Sequence, residues 1–234
     1  MKNYITIFIS ASAFALSILA TVTSLREANR GLRVQFTDVL AKISATTIDR
    51  VKVLNDQSLA SSRSALTDAL DEQQDFLLEQ AKYLIDQNPG LVTSVELSKV
   101  ASLFYYRGDL FNAEVLYRRA IDLAPSGHYS LKARVAYGFF LFSQRRYEAA
   151  EKAFEEALSS VRAPASDQDY HIRGWAYQEW GLQEQNVAPL KAQKCLENAR
   201  KEYEKIGDPQ WRQNALNDLD KVRTPPSPAA SATE

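Results

Sequence analysis

Helix breakers are scarce in this chain, and that scarcity limits the folds open to it. Eight glycines and eight prolines occur among 234 residues, well below an average combined usage of about 12%. A turn-rich sandwich or barrel needs many more turn residues, so long helices are expected and the fold class is all-α. Hydrophobic residues at 45% supply enough apolar surface for a core. A formal net charge of -1 argues against a general nucleic-acid binder, which carries a basic excess. Cys195 is the sole cysteine, so there is no intrachain disulfide framework and no cysteine-based zinc site. His128 and His171 are the only histidines, too few for a histidine-rich metal centre.

Residues 3–25 carry no charge. As a helix rising about 1.5 Å per residue, Tyr4 to Leu25 reaches about 33 Å, enough for a hydrocarbon layer of about 30 Å. A cleaved signal peptide would have a shorter apolar region, of about 7–15 residues, and a small-x-small cleavage site. Ile18-Leu19-Ala20 and Thr21-Val22-Thr23 fit such a site poorly. The expectation is therefore residues 1–3 as a short N-terminus and 4–25 as a single-pass transmembrane helix. Arg26, Arg30, Arg33 and Lys42 follow the run, against Lys2 and the terminal amine before it. That tally puts the C-terminal bulk in the cytoplasm. The opposite orientation, with the bulk in a periplasm or other exterior, stays open. Ala13, Ser17 and Thr21 recur every four residues and give the span one small face for a second helix.

Residues 26–62 read as a juxtamembrane helical stalk able to self-associate. Leu32 to Leu59 lacks Pro and Gly, with Phe36, Leu40, Ile43, Ile48, Val51 and Leu54 as apolar stations whose mixed spacing makes no clean heptad. Four serines between Ser58 and Ser64 interrupt it. A second helix, 64–88, carries Leu66, Leu70, Leu77, Ala81 and Leu84 on one face, and Asn88-Pro89-Gly90 stops it. From Leu66 to Glu96 there are seven acids and one base; from Leu97 to Tyr147, eight bases and three acids. Such blocks form solvated faces or steer helix docking, and the sequence leaves both open.

The next segment is built differently. Thr93 and Glu96 have capping-box spacing, and Leu97, Val100, Ala101 and Phe104 follow as one stripe. Gly108-Asp109 breaks that helix; Ala113, Leu116, Tyr117, Ala120 and Leu123 form a second stripe, closed by Pro125. Neither short helix can bury its stripe alone, so such pairs must stack. In this register, 94–125 resembles a tetratricopeptide repeat. Residues 131–162 form a second copy, with Tyr137-Gly138, Leu141, Tyr147, Ala150, Phe154 and Ala157 offset by 37 residues. It departs from the pattern at Arg134, at Arg145-Arg146 in place of Gly-Asp, and at Arg162 in place of Pro. A looser third unit, 170–207, follows a Ser166/Asp169 capping box with Trp175, Ala176, Trp180, Ala192, Leu196, Ala199 and Tyr203. The resemblance implies a TPR-like domain over 63–222, a short α-solenoid of antiparallel helix pairs capped by helices at 64–88 and 210–222. Residues 223–234, rich in Pro, Ser, Ala and Thr, are expected to be a disordered tail.

No phosphate loop, nucleophile elbow or His/carboxylate metal spacing is present, so no catalytic, cofactor or metal residues are assigned and no enzyme is expected. By the resemblance, the activity is binding of a protein or peptide partner in a groove lined by the first helix of each repeat. Its residues would be Ser98, Ser102, Tyr105, Tyr106, Lys132, Val135, Phe139 and Phe142. Members that clamp a terminal carboxylate use Lys and Asn where this chain has Ser98 and Ser102. The aromatics fit an apolar or amphipathic helix, unless Phe139 and Phe142 pack between repeats. Two roles follow: a membrane-anchored module that recruits a partner, or a self-associating structural envelope protein with its repeats outside. In both, the chain can form a homo-oligomer through span and stalk, and neither involves nucleic acid.

Overall fold

The computed structural model describes the backbone of residues 2–223 and the side chains of 27–222. The expected tail, 224–234, and the side chains of the charge-free run, including Ala13, Ser17 and Thr21, lie outside the described residues. Among the described residues every regular element is helical, and no helix is long and apolar enough to cross a membrane. The chain divides into two compact units, Met1–Val92 and Thr93–Glu234.

In the first unit, α1 (Lys2–Asn55) runs unbroken into the segment expected as a stalk, and α2 (Arg63–Gln87) folds back along it. The reversal falls in the serine-rich stretch, where the Asp56 side chain accepts a hydrogen bond from the Ser58 amide at 2.8 Å. The pair is antiparallel: Arg50 faces Asp71 at 2.9 Å, while the Asn88 side-chain amide donates to Asn29 at 2.8 Å. The segment expected as a stalk is helical, and α2 covers one of its faces. Leu32, Phe36, Val39, Ile43, Thr46, Arg50 and Val53 lie in or beside the hairpin seam, spaced by fours and threes. This is a heptad row, and α2 answers it with Leu70, Gln74, Leu77, Ala81 and Leu84. Ile48, Val51 and Leu54, also expected as apolar stations, are exposed. Helix 64–88 was expected inside the repeat domain as its cap. Its apolar face instead packs on α1, so it groups with residues 1–92.

The second unit contains α3 (Ser94–Tyr106), α4 (Leu110–Leu123), α5 (His128–Ser143), α6 (Tyr147–Ser159), α7 (Asp167–Glu184), α8 (Pro189–Glu204) and α9 (Pro209–Arg223). α3 pairs with α4, α5 with α6, α7 with α8; α5 also meets both α3 and α7, and α9 packs on α8. This is an α-solenoid-like stacking of helix pairs. Small residues set the spacing. Ala101, Ala113, Ala120, Ala150, Ala157 and Ala199 are fully buried. A Cβ on Gly174 would run into the Tyr203 ring, so α7 and α8 approach this closely only with glycine there. Phe154 of α6 stacks on Trp180 of α7 at 5.5 Å between ring centroids, joining the second and third pairs. Both capping boxes form, with the Glu96 and Ser166 side chains and their partners as the spacing requires. The loop before α5 closes at Gly127, so His128, Tyr129 and Ser130 already belong to that helix.

The first two pairs turn at equivalent positions with different residues. Gly108 sits at φ +82°, and Arg145, 37 residues on, at φ +57°, where a side chain crowds the backbone. Arg145→Gly is expected to stabilise the fold by about 0.5–1 kcal/mol and Gly108→Ala to cost about 1 kcal/mol, measured by urea titration. Ala120→Leu must overpack the α3–α4 crossing and is expected to cost about 1–3 kcal/mol. An unchanged melting temperature would place that helix in another register.

Candidate functional site

The first helices of the three pairs form a wall with two openings. The larger is a cavity of about 660 Å³, within the usual range for ligand sites. α3 supplies Ser94, Val95, Ser98, Lys99 and Ser102; α5 supplies Tyr129, Lys132 and Ala133; α7 supplies Gln168, His171, Ile172 and Trp175; and α9 adds Trp211. The smaller, about 360 Å³, lies toward the C-terminal ends of α3 and α5 and includes Tyr105, Tyr106, Ala136 and Phe139. Ser102 borders both.

Six of the eight expected groove residues fall on this wall. Ser98 and Lys132 line the larger cavity, Tyr105, Tyr106 and Phe139 the smaller, and Ser102 both. Tyr106 is 79% exposed, whereas Tyr105 lies edge-on to Phe140 at 5.9 Å. Val135 and Phe142, 0% and 6% exposed, are corrected from groove to core. α5 is the middle first helix and meets α3, α4, α6 and α7, so its flanks are covered. Phe142 is edge-on to Tyr147 at the α5–α6 turn, 5.0 Å between centroids. Phe139 is half-buried and edge-on to Phe154.

The larger cavity also has residues that sequence reasoning did not place there: Lys99, Tyr129, His171, Trp175 and Trp211. The i, i+4, i+7 spacing of Val95, Lys99 and Ser102 along α3 carries a signal for the first of these. Trp211 carries none, because only the packing of α9 on α8 brings it to the wall. The serines contribute room rather than donors: the Ser98 hydroxyl bonds the Ser94 carbonyl at 3.0 Å, and Ser102 bonds that of Ser98 at 2.9 Å. His171 lies 5.1 Å from the Trp211 ring, and burial together with nearby Lys132 lowers its pKa, leaving it neutral at pH 7. Among the described residues the cavity lining contains no carboxylate. Lys99 and Lys132 are exposed, and neither has an ion-pair partner among the described residues.

Several acids elsewhere are matched by donors. Glu114 of α4 accepts hydrogen bonds from Arg118 at 2.7 Å, Arg146 at 2.8 Å and the Tyr137 hydroxyl at 2.9 Å. Burial raises its pKa, but the three donors outweigh that and bring it to about 2. Asp169 meets His128 at 2.5 Å and is held at about 2 by the Ala165 amide, the Ser166 side chain and His128. Cys195 is buried; burial pushes its thiol up to about 11, which keeps it protonated and a poor nucleophile. Among the described residues no three His, Cys, Asp or Glu side chains gather to hold a metal ion.

Because the folded pKa of Glu114 is depressed, its contribution is present above pH 4.5 and lost as pH falls toward 2. Glu114→Gln is expected to flatten the stability profile in that window, by about 1 kcal/mol for a part-solvated cluster. Denaturant midpoints at pH 3 and pH 6 measure it; an identical pH slope in both proteins would mean the clamp contributes nothing.

No protein-family model matches the chain, and no curated protein matches it either. Among solved structures it is similar to the crystal structure of BtubC (BKLC) from P. vanneervenii, with 14% sequence identity and a TM-score of 0.45, over 87% of this chain and 97% of that one. So distant a likeness assigns neither family nor function.

Proposed function

We propose that this chain is a non-enzymatic, membrane-anchored interaction module whose TPR-like repeats hold a peptide or helical partner in the wall of first helices. The observation that carries this reading is the larger cavity, in which aromatic rings and two lysines without counter-ions face one space. Tyr129, Trp175 and Trp211 offer contact area of the kind that dominates protein interfaces. Lys99 and Lys132, without an ion-pair partner among the described residues, favour a segment bearing carboxylate side chains, since complementary charge steers encounter and selects partners. The serine face of α3 leaves room for a backbone to approach. Anchoring rests on the charge-free run 3–25, and the Lys/Arg tally beyond it favours a cytoplasmic repeat domain. The alternative remains a structural envelope protein with its repeats on the exterior. Fusing a phosphatase that is active only outside, and a fluorescent protein that matures only inside, to the C-terminus separates these two.

The groove is tested by its own fluorophores, because Trp175 and Trp211 line it and Trp180, the third tryptophan, is buried. Three end-blocked peptides of one apolar sequence, carrying two Glu, two Gln or two Lys, are titrated into the full chain. The Glu peptide is expected to shift tryptophan emission and bind at least about tenfold more tightly than the Lys peptide, about 1.4 kcal/mol. Lys99→Glu with Lys132→Glu is expected to reverse that order without changing the melting temperature. Equal affinities would remove the preference for acids. Silence of both tryptophans toward all three peptides would remove the groove reading itself.

A further inference from the structure

We infer that α1 carries a second helix-pairing face, opposite the one α2 covers, and that it packs against the same face of a second copy of this chain, the two helices running parallel. Two heptad rows lie along α1, offset by two residues. The inner row, which includes Phe36, Val39 and Ile43, is buried in the hairpin. The outer row is Val34, Thr37, Ala41, Ser44, Ile48 and Val51, with spacings of three, four, three, four and three. Two residues turn a helix through about 200°, so the rows lie on opposite faces. All six outer residues are exposed and none is charged; Val34, Ile48 and Val51 are 68%, 57% and 52% exposed. Single exposed apolar residues need no explanation, but β-branched ones aligned at heptad spacing form a seam.

The polar members of the row do not oppose its burial. The Thr37 hydroxyl donates to the Arg33 carbonyl at 2.9 Å and that of Ser44 to the Leu40 carbonyl at 3.0 Å, so neither proton seeks an outside partner. Between Thr37 and Lys52 the charges beside the row are paired within the helix, Lys42 with Asp38 at 2.7 Å and Lys52 with Asp49 at 2.9 Å, while exposed Arg30, four residues before Val34, ends the uncharged row on its N-terminal side. From Val34 to Val51 an identical face can therefore approach without net like-charge repulsion, which a self-complementary contact requires. Val34 and Ile48 flank Ala41 at the first heptad position, with Thr37, Ser44 and Val51 at the fourth, so the row is apolar at its ends and small in its middle. The parallel sense rests on the anchor reading above: α1 continues without a break from Lys2, so two copies held in one bilayer present their outer rows side by side at equal height.

Cysteines placed singly at 34, 37, 41, 44, 48 and 51, and at 35, 42 and 49 off the row, test this in the full chain in its membrane. Cys195 is buried and stays in place as the silent background. After oxidation with copper phenanthroline, dimer yield on non-reducing gels is expected to follow the three-four rhythm, several-fold above positions 35, 42 and 49. Adding Ile48→Glu is expected to reduce the yield at position 41 to the off-row level while helicity and melting stay unchanged. Uniform yields, a maximum off the row, no dimers, or a row maximum that survives Ile48→Glu would each overturn the inference. So would efficient mixed dimers between position 34 of one copy and 51 of another, which mark an antiparallel pair. Sedimentation of the same samples separates the two readings. Chain absent from the membrane pellet defeats the anchor, whereas pelleted chain without the rhythm defeats the pairing.

Discussion

The wall of first helices depends on how closely paired helices can approach. A short amphipathic helix buries its stripe only if its partner's backbone comes near enough for the two rows to interlock. Here that approach is set by residues with little or no side chain. Ala113 and Ala120 serve in the first pair, and Gly138 with Ala150 and Ala157 in the second, where a Cβ on Gly138 would stand 3.0 Å from Phe154. Gly174 and Gly181 serve in the third, the latter against Leu196. Once the pairs are this tight, large residues are free to join one pair to the next, as Phe154 does with Trp180. The first helices then stand beside one another, and a lined space opens along them.

Electrostatics follows from the same geometry. Where pairs meet, acids are surrounded by donors. Glu114 gathers two arginines and a tyrosine, and nearly inaccessible Glu184 accepts from the Trp180 indole at 3.0 Å with Lys191 at 3.4 Å. Lys191 also reaches Glu151 at 2.5 Å, tying α8 to α6. Such clusters are satisfied by the fold and leave nothing over for a ligand. The lysines of the larger cavity differ in having no such surroundings, and they stand beside aromatic rings and a neutral histidine. Polar groups spent on holding the stack are thus separated from polar groups available to a partner.

Much of this was legible in the sequence, where local chemistry alone decides the outcome. Thr93 with Glu96, Ser166 with Asp169, and Gly108-Asp109 act within a few residues, and each forms the cap or turn its spacing implies. The alanines of the first pair could be read because a repeated pattern brings them opposite one another. The heptad seam of α1 was hidden because Thr46 and Arg50 interrupt its apolar character; only α2, with Gln74 and Asp71 opposite, shows them to be members of the row. Likewise, Val135 and Phe142 share a helical face with groove residues, but α5 is enclosed by four neighbours, a fact of stacking order that no local pattern encodes. Trp211 reached the wall for the same kind of reason, through a helix whose docking the sequence left open.

The interlocked pairs make one physical demand that can be read without a ligand or partner. Of the three tryptophans, Trp180 is sealed between pairs against Phe154, whereas Trp175 and Trp211 border open space. Three variants that each keep one tryptophan, the others replaced by Phe, and collisional quenching by acrylamide measure this directly. The packing described predicts blue-shifted, weakly quenched emission from Trp180 and markedly stronger quenching of Trp175 and Trp211. Equal quenching of all three, or a Trp180 more accessible than the other two, would contradict it.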